Sequence, residues 1–217
     1  MRAAELDVKL LYADEAMLVL DKPAGLLSVP GRGEDKQDCL SARVQRLYPD
    51  ALIVHRLDMA TSGVMVFARG LAAQRALNES FANRTVSKRY VAVVEGNLMG
   101  SLHDWQVIDL PIIVDWPNRP RRMIDHQRGK PSVTRWRWLS HDAARKTTRI
   151  ELEPVTGRSH QLRVHLLALG HGIAGDALYG SLQSQALAER LWLHACVLEL
   201  AHPATRQLMR FVSPVPF

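Results

Sequence analysis

Apolar residues in this chain come in short runs that glycine, proline and polar clusters keep cutting, and this limits the fold more than any other feature. Met17–Leu20, Val64–Ala68 and Tyr90–Val94 are rich in β-branched or aromatic residues and are of strand length. Leu10–Tyr12 and Met17–Leu20, on either side of Ala13–Glu15, read as a hairpin. Lys22-Pro23-Ala24-Gly25 ends it, and Pro30-Gly31-Arg32-Gly33 follows as an exposed loop. Further strands are predicted over Ser132–Leu139, Thr147–Leu152, Trp192–Leu200 and Gln207–Val212. Helical patterns are confined to Ser41–Tyr48, stopped by Pro49, Leu71–Asn83, and Ser159–Leu169 with Gly170 to close it. Asp109–Pro131, with four prolines and clustered arginines, reads as irregular. Strands outnumber helices and do not alternate with them. That predicts the α+β class, with a central mixed, largely antiparallel sheet and flanking helices, and argues against a doubly wound fold.

The 217 residues fit one sizeable domain or two small ones fused along a shared sheet, and 47% hydrophobic residues supply a core without disulfides. Cys39 and Cys196 form no C-x-x-C pair, so a structural zinc is not expected and the reducing cytoplasm is the expected compartment. No apolar run approaches the roughly 20 residues that span a bilayer. Met1–Lys9 lacks the apolar stretch of a signal peptide. Lysine plus arginine number 28 against 22 aspartate plus glutamate, a net charge of +6 that suits a polyanion.

The most informative stretch is His55-Arg56-Leu57-Asp58-Met59-Ala60-Thr61-Ser62-Gly63. An acid sits between the apolar Leu52-Ile53-Val54 and a Thr-Ser-Gly turn, whose hydroxyls and amides can hold a carboxylate in one orientation. On spacing alone a surface turn with an Arg–Asp pair is the plainer reading. A second stretch gathers Arg119, Arg121, Arg122, Arg128, Lys130, Arg135 and Arg137 near Trp116, Trp136 and Trp138. Cations and aromatic planes together suit RNA phosphates and splayed bases. Trp136 and Trp138 share a strand face, so at least one of them is expected in the core. His160 and His165 are five apart on a predicted helix, a poor spacing for a metal, and neither a G-x-S-x-G elbow nor a P-loop occurs.

The nine residues from His55 match the H-R-L-D-x-x-T-S-G signature at every fixed position, and so the chain resembles the RluA family of pseudouridine synthases. Lys22-Pro23-Ala24-Gly25 is similar to the family's K-P-x-G, and Lys88-Arg89-Tyr90-Val91-Ala92 to its K-x-Y-x-A. Thr156–His165 resembles T-G-R-x-H-Q-L-R-x-H, and Leu193-His194-Ala195 the closing L-H-A. Asp115–Pro120 looks most like the branch that acts on both 23S rRNA and the anticodon stem-loop of tRNAs. One departure is Gly172, where proline is usual.

The resemblance implies a single catalytic domain over residues 1–217, with a cleft across its sheet and no extra N-terminal RNA-binding domain. It implies an isomerase acting on RNA, with no cofactor, no metal and no membrane partner; nothing points to an obligate protein partner, so a monomer is expected. Asp58 would be the essential carboxylate, with attack on the sugar, addition to the base and elimination all open to it. An ionised aspartate in a dry pocket needs a cation within about 4–6 Å to keep its pKa down, and the resemblance assigns this to Arg163. Tyr90 would stack on the uracil or relay a proton, and Leu193 would wall the pocket, with core packing an alternative for both. A paired uridine must be flipped out. Arg56 is the candidate to fill the gap, assisted by His55 unless that ring only stabilises the turn. Arg119, Arg121 and Arg122 would hold the RNA backbone. The rival reading is a catalytically silent RNA-binding or ribosome-assembly protein.

Overall fold

The computed structural model describes residues 7–217, so most of the Met1–Lys9 segment lies outside the described residues. The chain divides into two compact units. The first runs up to Lys88 and takes in Ala195–Pro216; the second comprises Arg89–His194 with Phe217.

In the first unit, β1 (Lys9–Ala13) and β2 (Met17–Lys22) form the expected hairpin. Asp14 shapes its turn by accepting the Ala16 and Met17 amides, both at 2.8 Å. α1 (Leu40–Leu47) starts at Cys39, whose sulfur accepts the Ala42 N–H. β3 (Ala51–Ile53) and β2 both pair with β4 (Ser62–Arg69), and α2 (Gly70–Ala82) follows directly. From Met17 to Leu20 and from Val64 to Ala68 every residue is buried, as continuous apolar runs require when both strand faces are covered. Met17, Val66, Ala73, Leu77 and Leu198 are part of one core cluster, in which α2 seats its apolar stripe against the strands.

The second unit is built on β5 (Ser87–Glu95, from Arg89 onward), β6 (Gln106–Asp109), β9 (Val133–Asp142) and β10 (Thr147–Pro154), in spatial order β5-β10-β9-β6. The irregular stretch expected between Asp109 and Pro131 instead holds a small hairpin, β7 (Ile112–Val114) and β8 (Arg122–Ile124). Each is only three residues long, too short for alternation to reveal. α3 (Gln161–Ala168) and the one-turn α4 (Leu182–Ala186) complete this unit. β11 (Leu193–Ala201) continues into the first unit, where β12 (Leu208–Val212) pairs with it. Every ladder named here is antiparallel, and the fold is α+β as expected.

Candidate active site

Asp58 lies on the loop that joins β3 to β4, half-buried, and the residues on either side of it are tied down. Before it, Ser28 clamps Leu57. Its hydroxyl donates to the Leu57 carbonyl at 2.7 Å and accepts the Leu57 amide at 3.2 Å. After it, the Met59 carbonyl accepts the Gly25 N–H at 2.9 Å and the Lys22 ammonium at 3.1 Å. The Asp58 carbonyl accepts the Thr61 N–H at 3.1 Å, which turns the chain into β4. Lys22 and Gly63 are paired residues of the β2–β4 ladder, so the K-P-x-G and T-S-G segments meet across it.

Lys22 is the least expected part of this arrangement. Its side chain is fully buried, and Nζ also donates to the carbonyls of Pro23 at 2.9 Å and Leu26 at 2.7 Å. Three carbonyls therefore use all three ammonium protons. Burial pushes the group down to about 8, against the pull of the Asp58 charge. In the sequence this lysine stands in the K-P-x-G segment with no task attached to it. A lysine closing an otherwise buried strand was the signal available.

His55 is held between a strand and a helix. Its Nε2 accepts the Val66 amide at 3.1 Å, and its ring stacks on Phe81 at 4.7 Å. Burial and the nearby Lys88 charge push the imidazole down to about 3, so it is neutral and ties the loop to β4 and α2. Arg56, by contrast, is exposed and makes no ion pair among the described residues.

In the second unit the Thr156–His165 motif is a closed hydrogen-bond network. Thr156 Oγ1 accepts the Val133 amide at 2.8 Å and donates to Gln161 Oε1 at 2.7 Å. Gln161 Nε2 donates to the Val133 carbonyl and to Thr134 Oγ1. His165 bridges Thr134 Oγ1 and the Leu110 carbonyl, each at 2.9 Å, and burial pushes its pKa down. These bonds fix α3 against β9 and so fix Arg163. That arginine is buried, and its Nε and Nη2 grip Asp176 at 2.8 and 2.6 Å. Asp176 also accepts the Leu178 and Tyr179 amides. The helix-surface alternative for Arg163 is set aside, and Asp176 is a partner that the sequence reading missed.

Tyr90 is half-buried on β5, opposite Leu152. Leu193 is almost wholly buried, which accords with packing. Arg119, Arg121 and Arg122 lie on the β7–β8 hairpin or its connecting turn; Arg119 stacks on the exposed Trp116 at 4.6 Å. Arg135 and Arg137 do not join them. They pair with Glu153 and Glu151 across β9 and β10, beside Trp105, on the strand face opposite Trp136. Trp136 is core, 3% exposed. Among the described residues no group of three or more His, Cys, Asp or Glu side chains is gathered to hold a metal.

Residues 16–168 match the family described as RNA pseudouridylate synthase. The chain is 49% identical over 208 residues to the dual-specificity RNA pseudouridine synthase RluA of Escherichia coli K12, covering 96% of this chain and 93% of that protein. Identity to the RluA of Yersinia pestis is 47% over 207 residues, covering 95% and 98% of the two chains. In structure it is similar to human RNA pseudouridylate synthase domain containing 1, with a TM-score of 0.79 and 29% identity over 97% of this chain and 84% of that one. Motif, fold and near full-length identity agree: the chain belongs to the RluA family of RNA pseudouridine synthases, which isomerise uridine in RNA to pseudouridine.

Proposed function

We propose that Asp58 is the catalytic carboxylate of this isomerisation and that 23S rRNA and the anticodon arm of tRNA are both substrates. The carrying observation is the way the chain is pinned immediately before and after Asp58, by Ser28 at Leu57 and by Lys22 and Gly25 at Met59. A solvated surface turn has no need of such bonds; a carboxylate that must meet a reacting atom in one orientation does. The reaction breaks the bond from uracil N1 to the ribose C1′ and forms one from C5 to C1′. The C5 hydrogen leaves to solvent, and N1 gains a proton. Tyr90 and Arg163 are the proposed partners in catalysis, the first toward the base and the second toward the carboxylate charge. Arg56 is the proposed filler of the gap left by the flipped uridine.

Two RNA substrates are supported by the dual specificity in the names of the relatives, and their identity by the family resemblance of Asp115–Pro120. Two of the unit boundaries fall inside single strands, β5 and β11, which supports reading the chain as one catalytic domain. No described helix is long and apolar enough to cross a membrane, and two buried free cysteines suit the cytoplasm as the place of action.

The test is tritium release from RNA labelled at C5 of uridine, with tRNA anticodon-arm and 23S rRNA transcripts as substrates. Wild type is expected to release label from both, and Asp58→Ala from neither, while the variant still folds and binds RNA. Turnover by Asp58→Ala rules out the mechanism. Release from one transcript alone restricts the substrate range to that RNA.

A further inference from the structure

Tyr179 is absent from every role assigned so far, yet it touches both the RNA-facing hairpin and Arg163. Its hydroxyl accepts the backbone N–H of Arg122 at 2.7 Å and shares a hydrogen bond of 2.7 Å with His160 Nδ1. Its ring lies under two guanidinium groups, Arg121 at 5.4 Å and Arg163 at 4.9 Å from the centroid. The ring is 6% exposed and belongs to a small cluster with Ile112 and Val164. Its backbone is held from the same carboxylate that grips Arg163, since Asp176 Oδ1 accepts the Tyr179 amide at 3.1 Å.

A phenol ring is one rigid body. The bond to Arg122 therefore fixes the ring relative to β8, and the ring in turn limits where the Arg163 guanidinium can lie. Two like charges on one aromatic ring also compete for it. Each is attracted to the π-face by roughly 0.5–2 kcal/mol, and each repels the other. When an RNA phosphate neutralises Arg121, that repulsion drops and Arg163 is held more firmly. Beside this ring a cavity of about 350 Å³ opens where the hairpin meets α3, lined among others by Arg122, Ile124 and Leu167. Ile112 and Ile124 pack the hairpin against Val164 of α3, and the Tyr179 hydroxyl adds the directional bond that sets Arg122.

We infer that Tyr179 is a positioning residue that couples RNA capture by the Arg121–Arg122 hairpin to the setting of Arg163. The inference rests on the reading above, in which these arginines contact RNA and Arg163 serves catalysis.

Tyr179→Phe keeps the ring under both cations and removes the bonds to Arg122 and His160; Tyr179→Leu removes the ring as well. Steady-state tritium release should show KM raised about 5–10-fold in Tyr179→Phe, with kcat within about twofold of wild type, since the lost bond to the Arg122 amide is worth about 1 kcal/mol. Tyr179→Leu should lose at least a further tenfold in kcat, so that phenylalanine rescues turnover but not KM. A merely structural tyrosine would lower melting temperature in both variants and leave KM and kcat per folded molecule unchanged, which overturns the coupling. Should Tyr179→Leu not fold, the KM-against-kcat split of Tyr179→Phe decides by itself. Arg163→Lys separates this inference from the reading beneath it. Full turnover by Arg163→Lys removes Arg163 from catalysis and the coupling with it. An impaired Arg163→Lys beside a Tyr179→Phe of normal KM overturns the coupling alone.

Discussion

A lysine with no exposed surface, three carbonyl partners and the charge of Asp58 acting on it has two opposite dependences on pH. Burial lowers Lys22 from its ordinary 10.5 to about 8, so the folded protein sheds this proton before the unfolded chain does. Between pH 8 and 10.5 the unfolded chain binds more protons, and this group makes stability rise with pH over that window; below pH 8 the desolvation cost is present in full. Catalysis should move the other way. A neutral amine has two protons for the carbonyls of Pro23, Leu26 and Met59, and it no longer faces Asp58 with a charge. We expect kcat to fall as pH rises through about 8. Lys22→Met should lower kcat at pH 7 by about tenfold and remove that alkaline limb. It should also cost about 1–3 kcal/mol in a urea melt, for carbonyls left without a donor. A wild-type kcat flat from pH 7 to 9.5 would detach Lys22 from the placement of Asp58. Asp58 was legible in the sequence because a nine-residue signature surrounds it. The task of Lys22 was not, because its partners are backbone carbonyls, one of them 37 residues away.

At the scale of elements, the strands that could be read carry an apolar run of four or five residues, as in β2, β4 and β5, or the polar–apolar alternation of β10. β3, β7 and β8 have three residues each and could not be separated from loop by pattern, although β7 and β8 carry the hairpin on which the RNA contacts are proposed. Nor does a pattern show which motif glycine is indispensable. Gly63, the last residue of the Asp58 signature, has φ +118°, and a Cβ there would sit 2.2 Å from the Ala195 carbonyl oxygen. Strain and overlap with a backbone atom together make Gly63→Ala cost about 2–5 kcal/mol. Gly157 is the second residue of the other long motif, yet a Cβ there meets nothing within 4 Å. Gly157→Ala should cost under about 1 kcal/mol. Paired urea melts of the two variants check this; equal losses would mean that β4 can move away from β11 at little cost.

For the molecule as a whole, a net charge of +6 suggested a polyanion without saying which cations meet it. The structure sorts the basic stretch into two sets. Arg128, Arg135 and Arg137 are paired with Asp125, Glu153 and Glu151. Arg119, Arg121 and Arg122 make no ion pair with a carboxylate among the described residues, and their hairpin is anchored through Tyr179. A cation already neutralised by glutamate releases few counterions when RNA arrives, whereas an uncompensated one contributes roughly 0.7–0.9 to the slope of log K against log salt. Replacing Arg121 and Arg122 together by glutamine should therefore weaken RNA binding and flatten that slope by about 1.5. Replacing Arg135 and Arg137 by glutamine should leave the slope unchanged, even though it disturbs the ion pairs across β9 and β10. Filter binding from 50 to 300 mM salt, in an Asp58→Ala background to prevent turnover, makes the comparison. A slope that responds to Arg135 and Arg137 but not to Arg121 and Arg122 would put the RNA on the Trp105 face of the sheet. The hairpin would then have no part in capture, and Tyr179 no signal to pass to Arg163.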